Sequence, residues 1–201
     1  MAFDLIKKFD FIPQLSFPDH QPLEVIYETK LHGITLASDL SWWPHNNDIT
    51  KRATSKLWVL IRFKSLGGTE EQLRRVRSTL EFGPPIFHSG LTKEQSTKVE
   101  KVQNKPLVNI LGSRHQNYET ALQALKLERL VARRLSLCYN FSVKCTNSPK
   151  HYSMFPTNPN YRQSMRSPKQ FLERLCQTSR HFNSAIPFLT RLLNTGLKSK
   201  S

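Results

Sequence analysis

Lys30-Leu31-His32-Gly33-Ile34-Thr35-Leu36-Ala37-Ser38-Asp39-Leu40-Ser41-Trp42 is the stretch on which the fold turns. Its first half is short, apolar and rich in strand formers, and Gly33 inside it signals a bulge or a close backbone approach. Immediately beyond it the period changes. From His45 the apolar residues Ile49, Ala53, Leu57, Leu60 and Ile61 recur at helical spacing, with Lys51, Arg52, Lys56 and Arg62 mostly between them. A strand element giving way to an amphipathic, basic-faced helix specifies an α+β chain.

Working toward the N-terminus, Phe11–Phe17 alternates in part, Pro18-Asp19-His20-Gln21 reads as a turn, and Leu23–Tyr27 follows as a second strand. The expectation for 1–40 is therefore a small antiparallel strand element. Toward the C-terminus, Gly67-Gly68 ends the first helix. Thr69-Glu70-Glu71-Gln72 and Thr92-Lys93-Glu94-Gln95 are capping-box starts. The second opens a segment in which Val99 and Val102 face a core until Pro106 interrupts it. Asn117-Tyr118-Glu119 starts another helix. A last clear helix spans about 128–146, with Leu130, Val131, Leu137, Cys138 and Phe141 inward and Arg129 and Arg133 on a solvent-facing edge. Residues 41–147 thus read as a helical bundle. After Pro149 the chain is rich in Pro, Asn, Ser and Arg: 148–170 reads as loop, and 148–201 as a poorly ordered basic tail that ends in the apolar run Ile186–Leu193.

Charge restricts the partners. The 201 residues carry 30 Lys and Arg against 15 Asp and Glu, a formal net charge of +15 with a pI near 10.0. Residues 1–40 are acidic, with three bases against six acids. Basicity then rises along the chain, and 148–201 has nine bases against one acid. An excess so large, one-signed and interleaved with aromatics points to nucleic acid. Lys56, Trp58, Arg62, Phe63 and Lys64 form one such stretch; Tyr161, Arg162, Arg166 and Lys169 form another. For Trp58 and Phe63 the favoured reading is that they pack in the core while the charges solvate the helix. No run approaches the roughly 20 apolar residues of a bilayer span, so no membrane partner is expected. Three cysteines and no secretory leader point to an intracellular, reducing compartment.

Catalytic patterns are absent. The five aspartates Asp4, Asp10, Asp19, Asp39 and Asp48 include no adjacent pair for a two-metal polymerase, and Asp39 reads as the end of a strand or a turn cap. None of the seven histidines is followed two residues later by a carboxylate, so an iron facial triad is missing. Cys138 and Cys145 stand seven apart on one helix, the spacing of core positions rather than of a zinc knuckle with His151 and Cys176. His88-Ser89-Gly90 lacks a nucleophile elbow and reads as a loop before a helix. No catalytic residue, metal, cofactor or small-molecule substrate is expected.

Lys30–Trp42 also resembles the Leu-Gly-Val-x-(Leu/Ile)-x-Ser-Asp-Leu-x-Trp segment of jockey-like non-LTR retrotransposon reverse transcriptases. Lys51-Arg52-Ala53, Arg77–Phe82, His88–Thr92, Glu100–Gln103, Ile110-Leu111-Gly112, Tyr118–Leu122, Leu127–Leu130, Arg133-Arg134, Leu137-Cys138 and Ser184–Pro187 continue the likeness in the family's order. The resemblance implies that Leu31, His32 and Gly33 belong to a primer-grip-like element at the end of the palm, followed by a thumb-like helical region. It implies template–primer duplex, RNA or DNA, as partner. It further implies that the catalytic palm belongs upstream, so that the chain is expected to be a truncated element copy or gene-model fragment beginning at Met1. Under that reading Lys51, Arg52, Lys56 and Arg62, with Arg129 and Arg133, meet backbone phosphates. The family usually has a hydrophobic residue at His32 and a helix former at Pro106. The competing expectations are a host oxidoreductase or nucleic-acid-modifying enzyme, and an interaction module that binds protein.

Overall fold

The structure, a computed structural model, describes residues 26–62, 77–162 and 169–196. It is mixed α+β: a two-stranded antiparallel sheet followed by helices. The chain divides into two compact units, Met1–Ile49 and Thr50–Ser201, so the boundary falls inside the first helix. Of the strand pair expected over 11–27 only Ile26 and Tyr27 are described, and neither is in a strand; the capping box at Thr69 lies outside the described residues.

In the first unit, β1 (Glu28–Leu31) pairs with β2 (Ile34–Ala37), Leu31 opposite Ile34. The single strand expected over Lys30–Leu36 is instead two strands, because His32 (φ 47°) and Gly33 (φ 81°) form a two-residue turn. Positive φ at both central positions is the mark of a type I′ hairpin turn, whose twist matches the strands. Histidine is among the few non-glycine types that tolerate such a φ. The polar ring where a strand would want an apolar residue is thus a turn residue.

Asp39 accepts a hydrogen bond from the Ser41 N–H at 2.9 Å, forming the turn cap expected of it. α1 (Trp43–Arg62) then begins. Its first turns are fastened to both strands: the Thr35 N–H on β2 donates to Nδ1 of buried His45 at 3.2 Å, and Asp48 holds Lys30 Nζ on β1 at 3.0 Å. Ile49, Ala53 and Leu57 are buried, as their spacing requires.

In the second unit, residues 77–80 are helical. They are followed by α2 (Pro84–Phe87), a 3-10 turn at His88–Gly90, α3 (Lys93–Leu111), α4 (Tyr118–Ala124), α5 (Leu130–Thr146), α6 (Ser179–Phe182) and α7 (Ala185–Thr195). The capping boxes at Thr92/Gln95 and Asn117/Thr120 both form. Contrary to expectation, α3 continues through Pro106. Val99 and Val102 before it join Ala53, Leu80 and Leu130 in one core, and Leu107 after it joins Ala121 and Leu122 in another. Each fully buried aliphatic side chain contributes about 1.5–3 kcal/mol. Two such anchors offset the roughly 3 kcal/mol that an interior proline costs.

α5 also differs in phase from expectation. Leu130 and Cys138 are inward, but so are Arg134, Ser142 and Cys145, whereas Val131 and Phe141 are exposed and Leu137 is half-buried. Leu130, Cys138 and Cys145 define the buried stripe, and the positions between them in phase are 134 and 142.

Beyond Asn147 the described backbone is mainly turn and loop up to α6, as expected for 148–170, yet it is anchored. Phe155 and Phe171 are buried with Cys138, Cys145, Leu189 and Leu192. The Asn194 side-chain amide clamps Phe171, accepting from its N–H and donating to its carbonyl, both at 2.9 Å. The run Ile186–Leu193 is the apolar face of α7.

Candidate nucleic-acid interface

The residues expected to carry phosphate contacts separate into two groups. On α1, Lys51 is exposed and has no ion-pair partner among the described residues. Arg52 is half-buried beside it. The Lys56 ammonium donates to Thr79 Oγ1 at 2.8 Å, a neutral partner that leaves its charge intact. The Arg62 side chain lies outside the described residues. Between Asp48 and Glu70 the chain holds five bases and no acid.

On α5 the position is different. Arg129 pairs with Glu119, Nε donating at 2.7 Å, and Arg133 Nε stands 3.6 Å from Glu81. Glu81 also takes Arg77 Nε at 2.6 Å. These cations are partly spent on the fold. The later basic stretch behaves likewise: Lys169 pairs with Glu173 at 2.7 Å, and Arg191 donates to the Phe182 carbonyl and lies 3.5 Å from that ring's centre. Tyr161 and Arg162 are exposed, and Arg166 falls outside the described residues.

Leu31 and His32 stand exposed at the hairpin turn with Gly33. Trp58 is not in the core. It is 56% exposed on the outer face of α1, next to exposed Val59. Ile49, Ala53 and Leu57 saturate the inward stripe, and position 58 falls opposite it. Phe63 is outside the described residues.

Sequence reasoning missed a buried polar network between the helices. Arg134 is fully buried, with Nη2 donating to Ser96 Oγ at 3.2 Å, and burial lowers its pKa. Tyr118 donates to Glu100 Oε2 at 2.5 Å, while Glu100 Oε1 accepts the Val131 N–H at 2.8 Å. Glu100 thereby satisfies the first turn of α5, whose own N-cap Arg129 makes no side-chain cap. Gln103 Nε2 donates to Tyr118 Oη and to the Glu128 carbonyl. His88 abuts Phe188 edge-on with centroids 5.8 Å apart, and its pKa falls to about 4 through burial and the Arg134 charge. Arg134 stands four residues from both Leu130 and Cys138, on the stripe that the fold buries and that the expected inward set did not include.

The thiols are structural in character. Burial pushes Cys138 up to about 12 against the pull of Arg134, so it stays protonated and unreactive, and Cys145 is buried beside it. His151 bonds Ser148 at 3.1 Å, and Cys176 donates to the Arg174 carbonyl. Among the described residues no three His, Cys, Asp or Glu side chains cluster closely enough to hold a metal ion. No described helix is long and apolar enough to cross a membrane. No known protein family, curated protein or solved structure matches this chain.

Proposed function

We propose that this chain binds the backbone of template–primer nucleic acid through the basic face of α1, as a non-catalytic, thumb-like part of a non-LTR retrotransposon reverse transcriptase. The observation that carries the reading is the separation of the cations. Those on α5 are matched by Glu119 and Glu81, whereas the acid-free stretch following Asp48 presents Lys51 to solvent and sets Lys56 on a hydroxyl rather than a carboxylate. Un-neutralised lysines take the place of the counterions condensed on a polyanion, which are released on binding. The ordered likeness from Lys30 to Pro187 supports the family assignment. No catalytic step is assigned to any residue.

The test is the salt dependence of duplex binding. If Lys51, Arg52, Lys56 and Arg62 each meet a phosphate, log affinity against log salt should slope at about −3.6 from this helix, at roughly −0.9 per contact. Replacing all four by Ala should flatten the slope by that amount and weaken all sequences alike. A slope unchanged in this variant, with the fold intact by circular dichroism, would rule the helix out as the contact surface.

A further inference from the structure

On the outer face of α1, Lys51, Ser55 and Trp58 follow one another at spacings of four and three residues, so all three share one stripe. Lys51 and Trp58 are about 10 Å apart along the axis. Trp58 is 56% exposed and Val59 52% exposed, and no acidic residue occurs between Asp48 and Glu70. A surface indole and a solvent-facing ammonium on one stripe, with no acidic residue between them, match a partner with both anionic and flat aromatic parts. Duplex backbone supplies only the first, because its bases are stacked on one another. A single-stranded segment supplies both: phosphates for Lys51 and an open base face for Trp58.

We infer that Trp58 is a stacking platform for an unstacked nucleotide base, so that the α1 face recognises single-stranded nucleic acid through Trp58 in addition to backbone phosphates. This rests on the nucleic-acid reading above and adds a substrate class to it. Charge selects the polymer, and the indole selects its unstacked part. Stacking tolerates any base, since every base has a π-face, so little sequence preference follows.

The full chain is titrated, at one fixed salt concentration, with a thymidine oligonucleotide of about 16 nucleotides, within the site size of single-strand binders, and with a blunt duplex of equal length. Trp58→Ala should weaken single-strand binding roughly 5- to 100-fold, the range of one base–aromatic stack, and weaken duplex binding far less. Trp58→Phe, which keeps a ring, should recover most of the loss. Equal thermal unfolding midpoints for the three proteins exclude a folding defect at this exposed site. If Trp58→Ala weakens both probes equally or neither, while the wild-type chain binds both in a salt-dependent way, stacking is wrong and the backbone reading stands. If the wild-type chain binds neither probe, both are wrong.

Discussion

Arg134 is fully buried, and its charge reaches the largely buried ring of His88. Burial, reinforced by the Arg134 charge, brings His88 to a pKa of about 4 from its ordinary 6.5, so the folded protein keeps the ring neutral. An unfolded chain takes up a proton between those values that the folded chain refuses. Stability contributed by this group is therefore full above about pH 6.5 and declines as pH falls toward 4, by up to about 3 kcal/mol. Urea unfolding at pH 7 and at pH 4.5 should show the decline, and His88→Gln should make the two midpoints more alike. Equal pH dependence in the variant would place the titrating group elsewhere. Neither role of the pair was read from the residues alone, since a histidine ahead of a capping box and an arginine in a basic helix look equally at home in solvent.

At the scale of the element, helix starts were the most legible feature because their chemistry is local. Thr92/Gln95 and Asn117/Thr120 need only each other's backbone and side chains to form a box. Helix ends inside the bundle were less legible. Pro106 removes a backbone donor and crowds the preceding turn, a reason to stop α3 that is outvoted by Val99 and Val102, buried in one cluster before it, and Leu107, buried in another after it. Pro106→Ala should raise stability by on the order of 1–2 kcal/mol, the propensity gain less the contacts of a buried ring. The urea midpoint measures it. A lower midpoint would show that the ring's packing outweighs the backbone penalty. The hairpin teaches a related lesson: His32-Gly33 reads as strand interior by hydrophobicity and as a turn by backbone preference, and the second decided.

Across the whole molecule, the net charge of +15 is less informative than where it is neutralised. Arg129 and Arg133 resemble the α1 cations in composition, but Glu119 and Glu81 already engage them. Binding nucleic acid through them means first breaking ion pairs, so they displace fewer counterions. Arg129→Ala with Arg133→Ala should change the slope of log affinity against log salt by clearly less than the roughly 1.8 expected for two free contacts. A change that large would return α5 to the interface. By itself the sequence determined the α+β class, the caps at Thr92 and Asn117, the inward Ile49, Ala53 and Leu57 of α1 and the one-signed charge, because each depends on neighbours a few positions away. Tertiary structure alone decided which face of α5 turns inward, that Trp58 looks outward, that the loop after Pro149 is tethered through Phe155 and Phe171, and which arginines remain available. Those outcomes depend on carboxylates and apolar surfaces brought together from distant parts of the chain, and no local period encodes them.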